Sequence, residues 1–223
     1  MKVFWKNNKG NDRLLILFSG WGMNPSIISF QPDESYDYCI VHSYQSCDLD
    51  LDIDFTQYDE VSLIAWSFGV LMAEVCFANS DLVFSNTIAI NGTAFPVHDS
   101  YGIPNVIFDK TLEGLNESSY KKFLLRTCGG MSTYKEIQSG YIQDSIDMLR
   151  SSLSLLGDIA KTRECGNIGF WNSAIIGEDD KIIPASNQEN YWKEVNVHPM
   201  KIQGLEHYPF LNANLIDHLF ALI

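Results

Sequence analysis

Ser67 stands in the run Val61-Ser62-Leu63-Ile64-Ala65-Trp66-Ser67-Phe68-Gly69-Val70-Leu71-Met72-Ala73. A short apolar stretch leads into the serine and a helical pattern leads out of it. A serine on a tight strand-to-helix turn is presented as a nucleophile, and small residues two positions to either side let the backbone turn sharply beneath it. The usual spacing is Gly-x-Ser-x-Gly; here Ala65 stands at the first glycine position and Gly69 at the second. A serine at the start of a helix can also simply cap it. Ser67 gains chemistry only if a base, and an acid to orient that base, can reach it.

Functional groups of open parallel sheets gather beyond the carboxyl ends of the strands, so acid and base are sought in loops after later strands. The apolar run Ser173-Ala174-Ile175-Ile176 is followed by Gly177-Glu178-Asp179-Asp180-Lys181-Ile182-Ile183-Pro184. Asp180 is the candidate acid and Asp179 its nearest competitor; an acidic turn with a capping role would account for the same residues. Lys201-Ile202-Gln203-Gly204-Leu205-Glu206-His207-Tyr208-Pro209-Phe210 places His207 in a turn after the last expected strand. His42 ends an early strand, His98 lies in a polar loop, His198 lies in or beside a strand and His218 in the terminal helix. The order Ser, Asp, His, each after its own strand, singles out His207 as the base. Two backbone N–H groups must then face the developing oxyanion. Phe68, after the serine, offers one. Trp21, bracketed by Gly20 and Gly22 directly after an apolar strand, offers the other, although an ordinary glycine turn would look the same.

These loops need a scaffold. Residues 2–5, 14–18, 38–42, 61–65, 87–90, 173–176 and 197–202 read as strands, and 68–79, 185–192 and 213–223 as helices. The run 14–18 is continuously apolar, as a strand covered on both faces is. Residues 110–160 read mostly as helix, with Tyr120, Phe123, Leu124 and later Ile142, Ile146, Leu149, Leu153 and Leu156 at helical spacing. Strands alternating with helices imply an α/β fold, a mostly parallel sheet with helices on both faces. The mid-chain helices interrupt the alternation, so residues 109–164 read as a small helical cap inserted into one domain spanning 1–223. Leu49-Asp50-Leu51-Asp52-Ile53-Asp54-Phe55 alternates with period two. Aspartate is poor in strands, so an edge segment or loop is expected. Its carboxylates read as a solvated face, because the glycine and terminal glutamate of a calcium loop are missing.

The chain has 223 residues, 46% of them hydrophobic and 13% aromatic, which fits a globular domain with a sizeable core. Its formal net charge of -13 argues against nonspecific nucleic-acid binding. The charge is uneven: residues 109–164 hold eight of the 15 Lys and Arg against eight of the 28 Asp and Glu, so that segment is neutral. Five cysteines (Cys39, Cys47, Cys76, Cys128, Cys165) form no Cys-x-x-Cys pair, which suggests neither a disulfide framework nor a zinc site. Reduced, mostly buried thiols are expected, with Cys76 in the core. No apolar run nears the roughly 18 residues that span a bilayer, and residues 1–9 turn polar too soon for a signal peptide. The expected location is the cytoplasm, away from membranes.

Phe18-Ser19-Gly20-Trp21-Gly22-Met23, Ala65-Trp66-Ser67-Phe68-Gly69, the turn from Gly177 to Pro184 and Gly204-Leu205-Glu206-His207-Tyr208-Pro209-Phe210 resemble the α/β-hydrolases. Ser-Gly-Trp-Gly-Met at 19–23, the short length and the stretch Gly102-Ile103-Pro104-Asn105-Val106-Ile107-Phe108-Asp109-Lys110-Thr111-Leu112-Glu113-Gly114-Leu115 narrow the resemblance. They are similar to the BioG family, compact esterases of biotin synthesis that cleave pimeloyl-acyl carrier protein methyl ester. The resemblance spans nearly the whole chain. It implies a Ser67-His207-Asp180 mechanism with Trp21 and Phe68 N–H at the oxyanion, no metal or organic cofactor, and acyl carrier protein as the substrate-bearing partner. Carrier protein is acidic, so Lys121, Lys122 and Arg126 in the expected cap are candidate contacts, with a solvated helix face as the plainer alternative. Another acyl hydrolase, such as a thioesterase or small-ester esterase, and a catalytically silent binding module are the rival expectations.

Overall fold

The computed structural model describes residues 1–46, 51–164, 166 and 168–223. Seven strands form one sheet: β1 (Lys2–Asn7), β2 (Arg13–Phe18), β3 (Tyr36–His42), β4 (Glu60–Trp66), β5 (Asn86–Ile90), β6 (Ser173–Gly177) and β7 (Met200–Ile202). Their order is β1-β3-β2-β4-β5-β6-β7. Only β1 runs antiparallel, against β3; every other pairing is parallel. The apolar run Leu14 to Phe18 is buried residue by residue in the middle of this sheet, the position its composition requires.

From β2 the chain moves one way across the sheet, to β3; from β4 it moves the other way, to β5. Right-handed crossovers then put the two connections on opposite faces. A crevice opens beyond the carboxyl ends of neighbouring β2 and β4, where ligands of such sheets bind. The loop carrying Trp21 follows β2, and Ser67 follows β4.

Helix α1 (Phe68–Cys76) springs directly from β4. It ends three residues before the expected boundary: Phe77 N–H still bonds Ala73 O, but Ser80 N–H turns back to Phe77 O. Four helices lie between β5 and β6: α2 (Asn105–Glu113), α3 (Glu117–Thr127), α4 (Met131–Gln138) and α5 (Ile146–Thr162). They begin five residues earlier than the helical periodicity indicates. α5 buries Leu149, Leu153 and Leu156 as that periodicity requires, whereas Ile142 of the same expected series lies in the loop before it and is exposed. Helices α6 (Ala185–Glu194) and α7 (Ala213–Leu222) complete the chain.

The last strand is shorter than 197–202. Asn196 takes a positive φ of 61° and Val197 N–H bonds Trp192 O at 2.9 Å, so Val197 serves the end of α6 instead of the sheet. Leu49 and Asp50 of the alternating acidic run lie outside the described residues. From Leu51 the run is loop, and Asp54 caps a 3-10 turn (Phe55–Gln57) by accepting from Thr56 N–H at 3.0 Å. Cys39 and Cys128 are buried free thiols and Cys76 is half-buried; Cys47 and Cys165 lie outside the described residues. Burial pushes the Cys128 thiol up to about 12. No helix among the described residues is long and apolar enough to cross a membrane.

Candidate active site

Ser67 holds the N-cap position of α1, yet its side chain makes no capping bond. Its backbone sits at φ 58°, ψ -128°, a region that costs a non-glycine residue about 1–3 kcal/mol. Neighbours force that conformation. Ser67 N–H bonds Ile90 O at 3.0 Å, and Val70 N–H bonds Ser67 O at 3.0 Å. A β-carbon on Gly69 would lie 2.4 Å from Phe18 O, and one on Gly92 2.5 Å from Ser67 O. Glycine at those two positions lets β2, β5 and the start of α1 close around the serine.

The hydroxyl freed from capping meets a histidine. Ser67 Oγ is 2.9 Å from His207 Nε2, and His207 Nδ1 is 2.8 Å from Asp180 Oδ2. A carboxylate only accepts, so the proton sits on Nδ1 and the Nε2 lone pair faces the serine. The Asp180 and His207 side chains are 0% and 2% exposed. An uncompensated buried carboxylate is costly, and Asp180 is well supplied with donors. Its Oδ1 accepts from Ile182 N–H at 2.8 Å and Ile183 N–H at 3.0 Å, and its Oδ2 also accepts from Gln188 Nε2 at 3.0 Å. Asp180 is thus both an acidic turn cap and the partner of His207. Asp179, the competitor, is exposed.

Trp21 and Phe68 line the same cavity as Ser67 and His207, a space of about 60 Å³ walled by Ile107, Phe108, Phe123 and Leu153. Among the described residues neither the Trp21 nor the Phe68 backbone N–H has a hydrogen-bond acceptor. Ala65 fits without strain: it is fully buried and pairs with Ala89 of β5, another small residue. Arg126 also lines the cavity, beside Lys181. Lys122 lies one helical turn before Arg126 on α3, and Lys121 and Lys122 are exposed; neither lines the cavity. Among the described residues no three His, Cys, Asp or Glu side chains cluster as a metal site.

Three residues of this arrangement carry no motif. Asn91 marks the end of β5, with φ 46° and no exposure. Its Nδ2 donates to Glu206 O at 2.8 Å and His207 O at 3.1 Å, and its Oδ1 accepts from Gly177 N–H at 2.7 Å. One side chain therefore ties the acid loop to the base loop. Trp66 Nε1 donates to His207 O at 2.8 Å. Gln188 shares the buried face of α6 with Tyr191 and Trp192. A polar residue on an apolar helix face, and an asparagine at the carboxyl end of a central strand, were the available signals. Elsewhere, burial holds His42 down at about 4, aided by Lys2 and opposed by Asp144, so it stays neutral.

A family model described as "Pimeloyl-ACP methyl esterase BioG" matches residues 1–215. The crystal structure of SeMet-BioG from Haemophilus influenzae superposes with a TM-score of 0.86 at 32% identity, covering 95% of each chain. A lipase-esterase related protein from Clostridium acetobutylicum superposes at 0.69 with 16% identity over 99% of this chain and 98% of that one, a likeness of fold alone. A Bacteroides fragilis relative described as a malonyl-[acyl-carrier protein] O-methyltransferase is 36% identical over 181 residues, 81% of this chain. The match covers only 36% of that relative's length.

Proposed function

The chain belongs to the BioG family of pimeloyl-ACP methyl esterases, and from that premise we propose that it hydrolyses pimeloyl-acyl carrier protein methyl ester through Ser67, His207 and Asp180. The observation that carries this reading is the pair of contacts that link Ser67 Oγ to His207 Nε2 and His207 Nδ1 to Asp180. His207 takes the Ser67 proton as Oγ attacks the ester carbonyl. The Trp21 and Phe68 N–H groups stabilise the oxyanion, and Asp180 holds the imidazole tautomer and its developing charge. Methanol leaves with the proton from Nε2. Water activated by His207 then cleaves the acyl-serine and frees the carboxylate. No other group is needed to balance these steps.

The four helices between β5 and β6 act as a cap over the cleft, and Lys121, Lys122 and Arg126 on α3 meet the acidic carrier in the cytoplasm. The methyltransferase description of the Bacteroides fragilis relative supports a methyl ester as substrate: methyl transfer onto a carrier-bound acid makes the bond that this chemistry breaks. A fluorophosphonate probe tests the nucleophile. Wild type is labelled on Ser67 and Ser67→Ala is not; an unlabelled wild type removes the serine-esterase reading and favours a silent module.

A further inference from the structure

The turn that presents Trp21 N–H is gripped by side chains from far along the chain. Gly20 O accepts from Met23 N–H at 3.3 Å, and the turn so closed has Gly22 at φ 71°. Two of its other carbonyls find partners within the turn or in the loop after β3. Ser19 O accepts from the Tyr44 hydroxyl at 2.6 Å, and Met23 O from Ser19 Oγ at 3.3 Å. Gly22 O is different. It accepts from the Tyr120 hydroxyl at 2.9 Å and the Tyr141 hydroxyl at 2.7 Å, reached across 98 and 119 residues.

The two phenols also touch each other. Whichever way that contact is polarised, at least one hydroxyl proton points at Gly22 O. Burial pushes both phenols above their ordinary value, so both keep their protons. The Trp21 indole is anchored on α5: Nε1–H donates to Ser152 Oγ at 3.0 Å and Leu149 O at 3.2 Å. Its ring packs edge-on to Tyr120 at 5.6 Å. A β-carbon on Gly22 would lie 2.6 Å from the Tyr120 hydroxyl, so the turn and the phenol are fitted closely.

We propose that Tyr120 and Tyr141 are positioning residues for the oxyanion site, clamping Gly22 O so that the turn aims Trp21 N–H into the cavity beside Ser67. This rests on the reading of Ser67 as nucleophile and Trp21 N–H as oxyanion donor. Tyr120 lies on α3 and Tyr141 between α4 and α5, so the oxyanion site is complete only while those helices are docked.

The test uses the full chain with Tyr120→Phe, Tyr141→Phe and both together. Its substrate is p-nitrophenyl butyrate, and its probe a trifluoromethyl ketone whose serine adduct carries an oxyanion. Loss of a whole oxyanion donor costs about 10²–10³ in kcat, which is the upper bound here. Each single variant keeps one hydroxyl on Gly22 O and loses about two- to fivefold in kcat. The double variant loses at least about tenfold, KM stays within about twofold, and the ketone Ki rises by the same factor as kcat falls. A folded double variant with unchanged kcat and Ki overturns the proposal. If the double variant does not fold, the singles decide: proportional changes in kcat and Ki support the clamp, and no change in either, or a change in kcat alone, overturns it. A wild type that neither turns over the ester nor reacts with fluorophosphonate at Ser67 strikes the underlying reading instead.

Discussion

Asp180 and Asp179 are adjacent, identical in chemistry and both past the end of β6, so their order in the chain cannot separate them. Tertiary contacts do. Asp180 turns inward to four donors, whereas Asp179 points outward and contributes its backbone N–H to Leu205 O. Asp180→Asn keeps the volume but turns an acceptor into an amide, and favours the wrong imidazole tautomer. It should lower kcat on p-nitrophenyl butyrate by roughly 10⁴-fold. Asp179→Asn should leave kcat within about twofold, because an exposed side chain outside the network couples weakly to it. Comparable losses from both substitutions would contradict the assignment. Ser67, Trp21 and Phe68 were legible as candidates because each sits at a turn just after an apolar strand; His207, five residues past the mostly exposed β7, was singled out by its place after Ser67 and Asp180 in the chain. Asn91, Trp66 and Gln188 were not, because they act through carbonyls and a carboxylate that only the fold brings near.

The junction of β4 and α1 is the element on which the geometry turns. Ala65 departs from the usual glycine, and the sheet accepts its methyl beside Ala89. Ala65→Gly should therefore leave kcat within about twofold and cost roughly 0.5–1 kcal/mol, read from thermal unfolding. Gly69 has no such latitude, since a β-carbon there would press on Phe18 O at 2.4 Å. Gly69→Ala should cost about 2 kcal/mol or more through overpacking. A neutral Gly69→Ala would mean that β2 and α1 are not locked as described. Strands and long helices were legible from period and apolar runs. The start of the expected strand 197–202 differs because Asn196 and Val197 close α6 through a local backbone bond that hydrophobic patterning does not report.

At the scale of the molecule, reversal of chain direction at neighbouring β2 and β4 puts the Trp21 loop and Ser67 across one crevice, and β6 and β7 deliver Asp180 and His207 to it. The overall charge of -13 disfavours an acidic partner over most of the chain and least over the neutral segment 109–164. Lys121→Glu and Lys122→Glu together, which leave the cavity lining and its Arg126 intact, should raise KM for the carrier-bound ester at least about tenfold and leave KM for p-nitrophenyl butyrate within about twofold. The wild-type carrier KM should rise with salt, because exposed charges are screened beyond about 8 Å at physiological ionic strength. Equal loss on both substrates would place those residues in folding and not in recognition.

The most direct measurement is kcat/KM of the wild-type protein on pimeloyl-acyl carrier protein methyl ester, followed by methanol release, set against p-nitrophenyl butyrate, with Ser67→Ala as the blank. The predicted result is a preference for the carrier ester of at least about 100-fold, roughly 2.7 kcal/mol of transition-state binding, abolished in Ser67→Ala. A carrier ester turned over no better than the small ester, or turned over equally by Ser67→Ala, would contradict it.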